Sequence, residues 1–354
     1  MVGPQGPQGQ TGPEGPQGLP GIDSVDPTEA PTPPTVGYLR VQSPLGSLDA
    51  TFEMVAFELG VSNEQVFSGA GGGGAGKASF APLEVVLLAN QAEFADVYVA
   101  LAKGAEFSLT LSIVDPSGGA IPLTLATSSL ARASSFRPEN ARNASQSSTV
   151  ELSFGLADLS LSYGGHSAGY NEVSSQPSCL STPCGCGPLT PIHYVDTHGA
   201  SVQLPAAHYE ASYFDSLLEM PVNIGSSAGG GSTGVVRDRG VSLEAPLGDD
   251  ALCLFRSVTI GGHLGTPMRL EDSSPLSGQF GPLYQHTHTL ECVTAVTRFT
   301  LASDQNGDIV TSALLKRGAF THTFRTFDPV TGQETSSRSK SWSIIRNNES
   351  PACQ

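Results

Sequence analysis

Three cysteines and a histidine, Cys179, Cys184, Cys186 and His193, fall in one short stretch, with His198 just beyond. Thiolates and imidazoles are the ligands a structural zinc site takes, four in a tetrahedron and usually from short spacings. The common CxxC knuckle is missing, and Cys184-Gly185-Cys186 is an awkward chelate. One disulfide with a spare thiol, or a plain connector loop, accounts for the same run. His286 and His288 share one face if Tyr284–Val296 is a strand, with Cys292 further along that face. Such a pair can ligate metal, or it can be an ordinary half-exposed strand face. Gly71-x4-Gly76-Lys77 matches most of a phosphate loop. Position 78 is Ala, however, where Ser or Thr would hold magnesium, and Phe80, Leu83, Val85 and Leu87 read as strand where such a loop opens a helix. A flexible contact loop is the better account. Asp304-x-Asn306-Gly307-Asp308 shares part of a calcium-loop pattern, but its glycine comes too early and no glutamate closes it. It reads as a hairpin turn around Asn-Gly. No nucleophile elbow, HExxH helix or kinase-like set is present. The expectation is a non-enzymatic protein that needs no cofactor.

The elements that would position these residues are mostly strands. Phe107, Leu109, Leu111 and Ile113 alternate with polar residues, and Asp115-Pro116-Ser117-Gly118 turns the chain. Val150, Leu152, Phe154 and Leu156 alternate again. A phase slip then leads to Leu159, Leu161 and Tyr163, which reads as a bulge. Phe320, His322 and Phe324 continue the pattern near the C-terminal end. Two short helices interrupt it. Phe94, Val97, Tyr98 and Leu101 make one apolar helical face, and Ala251, Leu254, Phe255 and Val258 make the other. Each helix opens beside acidic residues and ends at a glycine, Gly104 or Gly261.

These landmarks repeat. Shifting the chain by 157 residues (94 onto 251) superposes the two helices, sets Gly104 on Gly261, and sets Gly71-Gly72-Gly73-Gly74 on Ala228-Gly229-Gly230-Gly231. Two β-rich modules with one helix each are expected, over residues 37–163 and 200–354, joined by a Cys- and Pro-containing connector, 164–199.

At the N-terminal end, glycine stands at every third position: Gly3, Gly6, Gly9, Gly12, Gly15, Gly18 and Gly21, with prolines interleaved. Only glycine fits where three polyproline-II chains meet, so residues 1–25 read as a collagen-like stalk and the protein as a homotrimer. A single-stranded Pro/Gly tail is the competing reading. Residues 26–36 form a Pro-rich linker. The chain has 354 residues, a formal charge of −16 and only 14% charged residues. Its acidity argues against nucleic acid and anionic membrane as partners. No apolar stretch is long enough for a membrane span. No signal peptide is visible, so the expectation is an extracellular protein or one exported by a non-classical route.

The first module resembles a known family. Phe57-Glu58-Leu59-Gly60-Val61-Ser62-Asn63 and Gly74-Ala75-Gly76-Lys77-Ala78-Ser79-Phe80, followed by the helix at Phe94 and the alternating strand Val150–Tyr163, look like Hcp, the haemolysin-coregulated tube protein of type VI secretion. The closing Asp328-Pro329-Val330-Thr331-Gly332 and Ser341-Trp342-Ser343 are similar to that family's C-terminal turn and tryptophan strand. The resemblance implies an all-β fold of two tandem tail-tube-like barrels. It also implies six-membered rings, and related hubs reach six from three chains with two domains each. Three chains with two modules each give that number here. A ring, hub or tube segment of a type VI-like or contractile apparatus, or a secreted tubular filament, is the reading. Its partners would be copies of itself, with stacked rings or other tube, spike or baseplate proteins beyond them. Gly71, Gly72, Gly73, Gly74, Gly76 and Lys77, with Gly229, Gly230 and Gly231, are the expected ring-contact loops. A collagen-stalked trimeric surface-binding head is the alternative, and such a head would be one domain per chain. The family lacks both the stalk and the Cys-rich connector, so fold and ring geometry carry over better than a role in secretion.

Overall fold

The computed structural model describes residues 34–43, 48–63, 66–68, 72–74, 76–114, 120–127, 131–139, 148–178, 193–196, 208–209, 213–219, 237–248, 250–260, 268–273, 283–291, 295–304, 306–344 and 348–349. Period-two alternation becomes strand almost throughout. The first half runs β1 (Gly37–Gln42), β2 (Asp49–Asn63), β3 (Val66–Ser68), β4 (Gly72–Gly74), β5 (Ala78–Phe80), β6 (Leu83–Leu88), α1 (Phe94–Ala102), β7 (Glu106–Val114) and β8 (Ala120–Ala126). It continues with β9 (Ala131–Glu139), β10 (Thr149–Gly155), β11 (Asp158–Tyr163), β12 (His166–Asn171) and β13 (Gln176–Ser178).

Six of these strands close on themselves in the order β1, β2, β6, β10, β9, β7 and back to β1, all antiparallel. Closure is partial at β9, which meets β7 only at Ala131 and Arg132. The inner faces carry Leu39, Val41, Phe52, Met54, Val85, Leu87, Leu109, Leu111, Leu152 and Phe154, each at most 1% exposed. Burying each large apolar side chain contributes about 1.5–3 kcal/mol. Phe107 meets Phe154 edge-on at 6.3 Å, and Phe94 of α1 lies 4.4 Å from Phe52. Gly37 sits where β1 passes between β2 and β7. A side chain there would run into the carbonyl of Ser112, so the close approach requires glycine.

The expected bulge after Leu156 is a break between two strands. β10 pairs with β6 and β9, whereas β11 leaves the barrel to pair with β8 and β12. The phase slip therefore marks a change of partners, and apolar positions fall on the buried face of each strand independently. β12 and β13 extend the same sheet into the stretch expected to be connector.

The second half runs β14 (His193–Asp196), β15 (His208–Tyr209), β16 (Tyr213–Glu219), β17 (Arg237–Pro246), α2 (Asp250–Ile260) and β18 (Met268–Ser273). It ends with β19 (Tyr284–Glu291), β20 (Ala295–Ser303), β21 (Ile309–Lys316), β22 (Ala319–Phe327) and β23 (Glu334–Ser343). The strand order matches the first half. β16-β17-β21-β20 follows the plan of β2-β6-β10-β9, and β18-β19-β22-β23 follows that of β7-β8-β11-β12. In both halves the single helix joins the second strand of the first set to the first strand of the second, β6 to β7 and β17 to β18. The plan differs at β14, which pairs in parallel with β18, whereas β1 pairs antiparallel with β7.

The fold is all-β with one short helix in each half. The Asp304–Asp308 segment is the expected hairpin turn. Asp304 Oδ1 accepts hydrogen bonds from the backbone N–H groups of Asn306 and Asp308, each 2.8 Å, and Gly307 takes a φ of 87°.

Candidate functional site

β2 is long because it serves two neighbours in succession. Along one edge its first residues, Asp49–Met54, pair with β1 and close the barrel. Further along, Glu58–Ser62 pair with β20 of the second half, Leu59 opposite Leu301 and Val61 opposite Phe299. All four of these apolar side chains are buried. The sheet therefore runs unbroken from one module into the other.

Helix α2 covers this seam. It contacts β20 of its own module and β2, β5, β11, β12 and β13 of the other. Phe255 on α2 meets Phe299 edge-on at 6.0 Å. The buried Asn63 at the end of β2 donates its Nδ2 to the carbonyl of Val258, 2.8 Å away. Ser303 Oγ accepts the backbone N–H of Phe57 at 3.1 Å. Leu252, Cys253, Leu254, Phe255, Ser257, Val258 and Thr259 are all buried, so α2 is enclosed on nearly every side.

Helix α1 is not enclosed. It buries Phe94 and Val97 and packs on β9 of its own barrel. Tyr98, 157 residues before the buried Phe255, is 55% exposed, and Val99 is 47% exposed. Helix α1 thus presents Tyr98 to solvent where α2, at the same spacing, buries Phe255. Among the described residues, two strand edges are open in the same sense. β16, at the end of the long sheet, has β17 as its one described neighbour. β9 pairs with β10 along its length, but its other edge meets β7 only at Ala131 and Arg132. An open edge is a template for another strand.

The residues expected to form the contact loops are partly in view. Gly72, Gly73 and Gly74 form β4, which pairs with β3 in a small hairpin, Phe67 opposite Gly73, where the sequence suggested a loop. Gly76 is half-buried and Lys77 is exposed at the start of β5. Gly71, Gly229, Gly230 and Gly231 lie outside the described residues, as do the stalk glycines and Cys179, Cys184, Cys186 and Cys292. His193 lies on β14, and its side chain is outside the described set. The described structure is silent on that cluster.

It does bring three other histidines together. His286 and His288 share a face of β19, and His322 on β22 stands directly opposite His288. The ring centroids of His288 and His322 are 3.9 Å apart, and His286 lies 4.3 Å and 5.3 Å from them. Burial pushes His288 down to about 3 and His322 down to about 4, with nearby cationic groups acting in the same direction. Both are neutral at pH 7. Sequence spacing found the first two, and His322 stood in the alternation of β22. Only the β19–β22 register joins them.

Fold and site together define an all-β protein of two modules joined by one continuous sheet. No family model matches the chain, and no curated protein matches it. Among solved structures it is similar to a type six secretion system protein, at 18% identity over 40% of this chain and 99% of that one, with a TM-score of 0.34. Hcp1 from Salmonella typhimurium is 12% identical over 40% of this chain and 99% of its own, with a TM-score of 0.32. A component of the anti-feeding prophage baseplate is 9% identical over 38% and 96%, with a TM-score of 0.29. No helix among the described residues is long and apolar enough to cross a membrane.

Proposed function

We propose that this protein is a non-enzymatic assembly subunit, three copies of which form a ring of six modules. The observation that carries the reading is the asymmetry between the two helices and their strands. Within the chain, β2 of module one joins β20 of module two under a buried α2. The shared strand order makes β16 the counterpart of β2, and β9 the counterpart of β20. These counterparts are the open edges, and α1 beside β9 is the exposed helix. Each chain therefore offers both halves of the contact it already makes internally. β16 of one copy would pair with β9 of the next, and the second module would cover Tyr98 and Val99. Such a head-to-tail contact closes into a ring or propagates as a filament, depending on its rotation. The collagen-like glycine period sets three chains, and three chains of two modules close at six.

On this reading the modules are a tandem duplication. The stalk Gly3–Gly21 holds the three chains in register, and the ring works outside the cell or in an exported assembly. The sequence resemblance to tube proteins points to a tube, hub or filament role, with other tube, spike or baseplate components as partners.

The test is mass in solution together with class averages of the purified full chain. Three times the 36.5 kDa chain mass, with rings of six lobes around a hole, is the expected result. A monomer, or a two-fold dimer, refutes the ring. A solid three-lobed head without a hole would instead place the protein among stalked surface-binding trimers.

A further inference from the structure

The three histidines lie at a boundary in the second module. Along this face of β19 and β22, Leu290 and Phe320 are buried, His288 and His322 come next, and the stacked pair Tyr284 and Phe324 lies exposed at the rim. The matching strands of module one carry Leu123 and Leu125 on β8 and Leu159 and Leu161 on β11, all buried. Packing at this place is thus satisfied by leucine in one module, and the other carries three imidazoles. Polar groups set into such a face need partners. The Nε2 of His322 is buried with no hydrogen-bond partner among the described residues.

We propose that His286, His288 and His322 form a binding site for a divalent transition metal ion of the zinc class. One ligand nitrogen from each ring lies within 4.8 Å of the others. A tetrahedral zinc site with bonds of 2.0–2.1 Å needs its ligand atoms about 3.3 Å apart. Small rotations about the soft ring torsions close that difference. Imidazole suits zinc, copper and nickel, whereas magnesium and calcium prefer oxygen. The buried Arg317 acts on His288 and His322, with its guanidinium 4.5 Å over the Phe320 ring, and register sets Asp272 opposite His286. Register also sets Lys340 opposite His322 and Arg338 opposite Phe324, both exposed. These cations weaken the site for a dication without blocking the lone pairs. Three protein ligands leave the fourth position open, to water or to a group from another molecule. The site is independent of the ring proposed above.

The experiment uses the full chain stripped with EDTA and titrated with Zn²⁺ calorimetrically and with Co²⁺ by absorption. One equivalent per chain is expected, with His286→Gln and His322→Gln each weakening it by more than about 100-fold. Loss of a partner outside the ligand shell alone accounts for about 10–100-fold. His166→Gln, at an exposed position on β12, and a triple Cys→Ser variant at 179, 184 and 186 should both bind as the parent does. Absence of binding overturns the proposal, and so does binding that survives the histidine changes but is lost with the cysteines. Zinc protection of His286 and His322 from diethylpyrocarbonate in the unsubstituted chain gives a second answer should a variant fail to fold. Equal modification with and without zinc would count against the site.

Discussion

Replacing Phe299 by alanine tests whether the seam makes one folding unit of the two modules. The ring is 0% exposed, stands opposite Val61 across the β2–β20 pairing, and packs edge-on against Phe255. Truncating a phenylalanine so placed costs about 3–5 kcal/mol, including the cavity it leaves, and the lost aromatic pair puts the expected value near 4. With a guanidinium m-value of about 5 kcal/mol/M for a chain of this size, the unfolding midpoint should fall by about 0.8 M. The control is Phe107→Ala, equally buried but inside the barrel of module one, against Phe154. If the shared sheet couples the modules, both variants move the same single transition by similar amounts. Circular dichroism reports the whole sheet, and fluorescence of Trp342 on β23 reports module two. Two resolved transitions, with Phe299→Ala moving only one, would refute the coupling. A midpoint shift below about 0.2 M would refute the packing argument itself.

Tyr98→Glu places a charge on the exposed face of α1, so monomer stability should stay within about 0.5 kcal/mol while sedimentation shows the trimer dissociating. An unchanged trimer would remove α1 from the contact. Gly240 has a φ of 99°, and a side chain there would come within 2.6 Å of the Leu315 carbonyl. Gly240→Ala should therefore cost about 2–3 kcal/mol in denaturant unfolding. Asp304→Ala removes two backbone hydrogen bonds from the β20–β21 turn and should cost about 1–2 kcal/mol, read the same way. For the metal-free protein, His288 and His322 titrate near 3 and 4 when folded but at 6.5 when unfolded. The unfolded chain then binds more protons between those values. Their stabilisation is complete above pH 6.5 and is lost as pH falls toward 3–4. Each histidine gives up to about 1.4 kcal/mol per pH unit, roughly half of that after solvent screening of its exposed part. His322→Leu should flatten the acid limb of the stability curve, and an unchanged limb would contradict the assignment.

Much of the fold was legible because the signals are local. Alternation at Phe107–Ile113 and at Val150–Phe154 reports a face that is buried whatever the strand pairs with. The faces of α1 and α2 follow from spacing alone, and Gly104, with a φ of 66°, ends α1 as a left-handed cap should. Partner choice is not local. Nothing within Leu156–Leu159 says that the chain changes strand partners there, so a strand break reads as a bulge. Asp49–Asn63 is one strand, and nothing in its residues marks where its neighbour changes from β1 to β20. His322 carried no chemical signal until register set it against His288.

The same division explains why assembly is harder to read than fold. Tyr98 and Phe255 are equivalent in spacing and nearly so in apolar character, yet one is 55% exposed and the other 0%. The difference lies in the packing around each helix. Phe255 packs on Phe299, and α2 contacts β20 together with β2, β5, β11, β12 and β13, whereas α1 packs on β9. An apolar helix face kept exposed beside an open strand edge is a surface that soluble monomers rarely retain without use. On the ring proposed above, the β2–β20 seam under α2 would serve as the template for the partner surface. Substitutions on the β16 edge and on α1 should therefore weaken assembly as one coupled set, whereas those within the β2–β20 seam should weaken the fold of each copy first.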